Sequence, residues 1–142
     1  MLDSGGVTAL ATSKDLLTDY LNMLKRRFDG SILIPIAVVT EFRTGDPRKD
    51  VAVDRFINAM RRRQVRVYVP LTLEIAERAG VLRTQARASG HPDISVTDAH
   101  IVATADDLAN HSAVTILTGD PEHMKVLVEL THRTNIAVDV PG

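Results

Sequence analysis

Cysteine is absent from the 142-residue chain, which excludes disulfides, zinc-thiolate centres and thiol nucleophiles and leaves nothing to argue for an oxidising compartment. No run approaches the ~18 apolar residues that a membrane span needs, and Met1-Leu2-Asp3-Ser4-Gly5-Gly6 opens without a basic region leading into an apolar stretch. A cytoplasmic protein with no membrane contact is expected. Missing too are a G-x-S-x-G elbow, a P-loop lysine motif and an H-E-x-x-H pair. The chain therefore offers no protein nucleophile, and its chemistry has to be sought in its acids.

The length suits one core, and residues 1–142 read as a single domain. The net charge of −1 conceals an asymmetry: residues 1–90 carry 15 Lys or Arg against 10 Asp or Glu, whereas residues 91–142 carry 2 against 8. Basic clusters stand at Lys25-Arg26-Arg27, at Arg43, Arg48 and Lys49, and at Arg61-Arg62-Arg63 with Arg66. They can neutralise a phosphate backbone, although any one of them alone reads equally as a solvated helix face. Cations held among the acids would remove part of the negative charge and make a polyanionic substrate plausible.

Short apolar runs alternate with longer helical stretches, the pattern of βα units around a mainly parallel sheet. The expected fold class is α/β, a three-layer α/β/α domain with about five short strands. Strands are expected at Ile32 to Ile34, Val65 to Val69, Val114 to Leu117 and Ile136 to Val140, each rich in β-branched residues. A first strand should end at Asp3. Only Met1 and Leu2 precede it, so either that strand is very short or the natural start lies upstream. Helices are expected from Lys14 to Arg27 behind a Ser13 cap, from Asp50 to Arg63, from Thr72 to Gly90-x-Pro92, from a Thr97 cap through Asn110, and from Pro121 to His132.

Two acids fall on apolar faces. Asp98 is followed by Val102, Ala105 and Ala109 at i+4, i+7 and i+11, and Glu41 follows Val38 and Ala37 at three and four residues. Both are expected to point inward, where a carboxylate requires a cation or firm hydrogen-bond partners. An arginine from the basic half would also satisfy either one. Asp3 and Asp120 occupy another kind of position, at the carboxyl ends of strands, the edge of an open α/β sheet where ligands collect. Four convergent carboxylates would form an oxygen-only site suited to Mg²⁺ or Mn²⁺, and such a site performs phosphodiester hydrolysis without a protein nucleophile. Ser4 and Thr118 are candidate supporting hydroxyls that also serve local turns. His123, three residues after Asp120, is within reach but reads more simply as a solvent-facing histidine in a first helical turn.

At these residues the sequence resembles the PIN-domain family, particularly its VapC-type ribonuclease toxins. Leu2-Asp3-Ser4 before a small-residue helix, Ile34-Pro35 through Val39-Thr40-Glu41, Ser95-Val96-Thr97-Asp98-Ala99 through Ala103-Thr104-Ala105, and Leu117-Thr118-Gly119-Asp120 are similar to the family's four successive motifs. The resemblance implies an α/β/α sandwich, Mg²⁺- or Mn²⁺-dependent endoribonuclease activity carried by Asp3, Glu41, Asp98 and Asp120, a homodimer, and inhibition by a cognate antitoxin. Asp3 and Asp98 would hold metal, with Glu41 and Asp120 acting directly or through water, and Arg43, Arg48 and Lys49 would meet RNA. Asp106-Asp107 departs from the family's more neutral helix and reads as solvent-facing. Two other function classes stay open: a non-catalytic RNA- or partner-binding module on the same fold, and a phosphatase-like hydrolase using Asp3, which lacks the D-x-D pair that chemistry uses.

Overall fold

The computed structural model describes residues 1–26, 30–64 and 66–142. Seven helices and four short strands alternate in the order α1 (Ser4–Thr12), α2 (Lys14–Arg26), β1 (Ile34–Pro35), a 3₁₀ turn (Ile36–Val38) running into α3 (Val39–Phe42), α4 (Pro47–Arg61), β2 (Tyr68–Val69), α5 (Leu73–Ala88), α6 (Val96–Leu108), β3 (Val114–Leu117), α7 (Pro121–Thr131) and β4 (Ile136–Asp139). The fold is the expected α/β class, with four strands in place of about five. Arg27 and Val65, at the expected edges of one helix and one strand, lie outside the described residues.

All strand pairing is parallel: β1 pairs with β2, and β3 with β4 from Val114↔Ile136 to Leu117↔Asp139. Residues 1–3 stitch the two pairs together. Leu2 N–H donates to Leu33 O at 2.9 Å, Asp3 N–H to Leu117 O at 3.2 Å, and Leu117 N–H to Met1 O at 2.8 Å, with Leu2 bridging Leu117. The order across the sheet is thus β2, β1, residues 1–3, β3, β4, with the amino-terminal segment in the centre. That place explains why Leu2 is buried although almost no chain precedes it. Parallel strands covered on both faces demand apolar side chains on both, and Val114, Ile116 and Leu117 are all buried.

α5, α6 and α7 pack on one another, and α1 packs against α2, α3 and α4. α6 is wrapped by neighbours, with Ala99, Ile101 through Ala105 and Asp106 all buried. Its alanines let α5 and α7 approach, while Ile101 and Val102 fill the core beside Leu10, Ile34, Ile116 and Leu127. Each such branched side chain stabilises the fold by about 1.5–3 kcal/mol through burial. No helix among the described residues is long and apolar enough to cross a membrane.

Local chemistry corrects several helix starts. α4 begins at Pro47 behind an Asp46 cap, not at Asp50. Proline at the first helical position sacrifices no hydrogen bond, and Asp50 instead turns back to accept from Thr44 N–H, Thr44 Oγ1 and Gly45 N–H. These bonds, with burial opposing them and Arg43 adding to them, hold the Asp50 carboxyl below the usual range. α6 is capped by Ser95, two residues before Thr97, in a reciprocal box with Asp98. Asp106 is not solvent-facing: it is buried, bonded to Arg78 Nε at 2.8 Å and Arg133 Nε at 2.7 Å, while Asp107 is exposed.

Candidate active site

Three of the predicted acids sit at helix amino-termini, where peptide N–H groups lacking intrahelical partners and the positive end of the helix dipole hold carboxylates. Asp3 is the N-cap of α1, Asp98 the third residue of α6, and Asp120 the N-cap of α7. Sheet topology then brings these ends together at the carboxyl edge, because residues 1–3 and β3 are neighbours.

Asp3 is 7% exposed and fully engaged. Its Oδ1 accepts from Gly6 N–H at 2.6 Å, and its Oδ2 accepts from Thr118 Oγ1 at 2.5 Å and Gly119 N–H at 3.2 Å. Thr118, completely buried, uses the same oxygen to accept from Asp120 N–H at 2.9 Å. One hydroxyl therefore couples the first acid to the fourth. The glycines allow this approach: a Cβ on Gly6 would stand 2.6 Å from Leu117 O, and one on Gly5 3.0 Å from Gly119 N. The Ser4-Gly5-Gly6 start of α1 is small because it lies against the β3–α7 turn. Ser4 is half-buried at the first position of α1.

Asp98 lies at the rim of α6, its side chain 20% exposed. The helix phase read from the sequence holds, since Val102, Ala105 and Ala109 below it are buried. Asp98 Oδ2 accepts from Ser95 N–H at 3.2 Å, and Ser95 Oγ accepts from Asp98 N–H at 3.0 Å. Arg83 Nε donates to Ile94 O at 3.2 Å, pinning the residue before that box.

His123 joins the second pair of acids. Its Nδ1 lies 3.1 Å from Asp120 Oδ2 and 3.7 Å from Asp98 Oδ2, and its backbone N–H donates to Asp120 Oδ1 at 3.4 Å. The solvent-facing expectation is corrected: the imidazole is 30% exposed and bridges α6 and α7. The signal was in the Asp120-Pro121-Glu122-His123 spacing, which sets the histidine one helical turn after the cap and over it.

Glu41 also differs from expectation. α3 is a single turn following a 3₁₀ turn, and this change of pitch shifts the face predicted from a continuous helix, so that Phe42 and Val38 are buried and Glu41 is exposed. α3 packs on α1, but Glu41 shares no hydrogen bond or ion pair with the other three acids among the described residues. Arg43 is occupied by Asp54 at 2.6 Å and lies over the Phe42 ring, whereas Arg48 and Lys49 are exposed on α4.

No group of three or more acid or histidine side chains in closed ligand geometry occurs among the described residues. The donor chemistry does suit a hard divalent cation, since Asp98 and Asp120 direct one oxygen each toward a common point. Asp3, with both oxygens already accepting, supports that point through Thr118.

A parallel α/β fold with carboxylates gathered over the carboxyl edge of its central strands defines the class. The PIN domain family matches residues 1–129, and the chain belongs to that family. PIN domains are generally nucleases, acting on RNA with divalent metal ions. No curated protein matches the chain.

Proposed function

We propose that this chain is a metal-dependent endoribonuclease, the toxin of a toxin–antitoxin pair, that hydrolyses RNA phosphodiester bonds. The observation that carries the proposal is the convergence of Asp98 and Asp120, from two different helices, on one point beside His123. Those two carboxylates would hold Mg²⁺ or Mn²⁺. When bound, the ion supplies Lewis acidity that activates a water and offsets charge building on the phosphate. Asp3 orients Asp120 through the Thr118 hydroxyl, and the Ser95 box fixes the Asp98 rotamer. Glu41, on its exposed turn, reaches the centre through water. Arg48 and Lys49 meet the RNA backbone. A cognate antitoxin and a homodimer belong to the same proposal, supported by the motif order alone.

Purified protein should cleave RNA with Mg²⁺ or Mn²⁺ and lose the activity in EDTA. Asp98→Asn keeps an acceptor for Ser95 N–H, so the fold should lose less than about 1 kcal/mol, while cleavage should fall on the order of a hundredfold or more. Cleavage at the wild-type rate by that variant would refute the assigned site. A second reading, a non-catalytic RNA- or partner-binding module, draws on the full engagement of Asp3 as a cap; RNA binding with no metal-dependent cleavage would establish it. Toxicity on expression, relieved by a short adjacent reading frame, tests the antitoxin.

A further inference from the structure

We propose that His123 is itself a ligand of the catalytic cation, adding one nitrogen to the carboxylate oxygens and biasing the site toward Mn²⁺ over Mg²⁺. The inference rests on the metal site proposed above. Two donors in adjacent positions around an octahedral ion with bonds of about 2.1 Å stand about 3 Å apart. His123 Nδ1 and Asp120 Oδ2 are 3.1 Å apart already, and Asp98 Oδ2 lies 3.7 Å from the same nitrogen. A shift of a few tenths of an ångström in the half-exposed Asp120 side chain and the Asp98 rim closes the triad.

The positions of the three groups favour that closure. Asp120 and His123 are cap and third residue of one helix, tied by the His123 N–H to Asp120 Oδ1 bond, so they move together. Asp98 is held by its own box on α6. The imidazole would bind through the Nδ1 lone pair as the Nε2–H tautomer, which leaves the neutral ring's proton count unchanged. Imidazole is a poor donor for Mg²⁺, which selects oxygen, and a better one for first-row transition ions. A solvent-directed histidine would leave the site with oxygen donors alone and no reason to discriminate in this way.

Mn²⁺ added to the wild-type protein should show ¹⁴N coupling by electron spin-echo envelope modulation, and calorimetry should give tighter binding of Mn²⁺ than of Mg²⁺. His123→Ala should lose the nitrogen coupling and weaken Mn²⁺ on the order of tenfold. His123→Asp, with circular dichroism confirming the fold, should also lose the coupling, yet bind Mg²⁺ more tightly relative to Mn²⁺ than the wild type does. If Mn²⁺ binds in an Asp98-dependent manner without nitrogen coupling, or the coupling persists in His123→Ala, the ligand role of His123 is wrong and the nuclease site stands. If Mn²⁺ fails to bind, or binds equally well to Asp98→Asn, both are wrong.

Discussion

Replacing Thr118 by valine removes a single hydroxyl that serves two acids, and the structure gives the cost. Oγ1 donates to Asp3 Oδ2 at 2.5 Å and accepts from Asp120 N–H at 2.9 Å, in a residue with no exposure. A hydrogen bond to a charged acceptor contributes about 1.5–3 kcal/mol and an amide bond about 1 kcal/mol. The added methyl returns up to about 0.8 kcal/mol of burial. The expected net loss is about 2–3 kcal/mol, which in a chain of this size corresponds to roughly 5–12 °C in Tm. Asp3 retains Gly6 and Gly119 N–H, so α1 stays capped, while Asp120 N–H is left without its partner. Thr118→Ser provides the contrast, because it keeps the hydroxyl and loses one buried methyl, about 1 kcal/mol. Urea unfolding should shift the midpoint with unchanged slope in both variants, further for valine than for serine. A Thr118→Val protein as stable as Thr118→Ser would refute the coupling of Asp3 to Asp120 through this hydroxyl.

Two further perturbations probe the scaffold. Gly6→Ala would place a Cβ 2.6 Å from Leu117 O, whereas a Cβ on Gly80, in the middle of α5, meets nothing within 4 Å. The first should destabilise by about 1–3 kcal/mol through overpacking and the second should stabilise by about 0.5–1 kcal/mol through helix propensity; chemical denaturation of the pair measures both, and equal signs would contradict the close approach of α1 to the β3–α7 turn. Burial alone would raise the Asp106 carboxyl, but the Arg133 and Arg78 hydrogen bonds outweigh it and hold it below its usual value. A carboxyl depressed in the folded state stabilises fully above its unfolded pKa of about 3.9 and loses that contribution as pH falls through the folded value. Asp106→Asn should therefore cost about 1–3 kcal/mol at neutral pH, with the gap to wild type closing below about pH 4; a gap independent of pH would show that the charge is not what matters.

Several features were legible in the sequence because they are local. The Val114–Leu117 strand announced itself through a β-branched run with no polar alternation, as a strand buried on both faces must. Thr72 and Pro121 marked the starts of α5 and α7 because capping involves only residues within one turn. The Asp46-Pro47 and Ser95-x-x-Asp98 starts were equally local, and choosing Asp50 and Thr97 instead overlooked proline at the first helical position and the reciprocal box. Asp106 could not be read this way: its arginines come from α5 and from the segment after α7, 28 and 27 residues distant.

The sequence by itself determined the α/β class, the parallel character of the sheet and the PIN family motifs with their acids. Those follow from periodicity, capping and order along the chain, which need no knowledge of what is near in space. Only the tertiary structure decided how the acids divide. It seated residues 1–3 at the centre of the sheet, tied Asp3 to Asp120 through Thr118, and set Asp98 against His123 across two helices. It left Glu41 on an exposed turn, because a change from 3₁₀ to α pitch rotates the face that a uniform helix would have buried. Which carboxylates share a partner depends on strand order and helix crossings, and these are settled by the packing of the whole core, which no local stretch of sequence encodes.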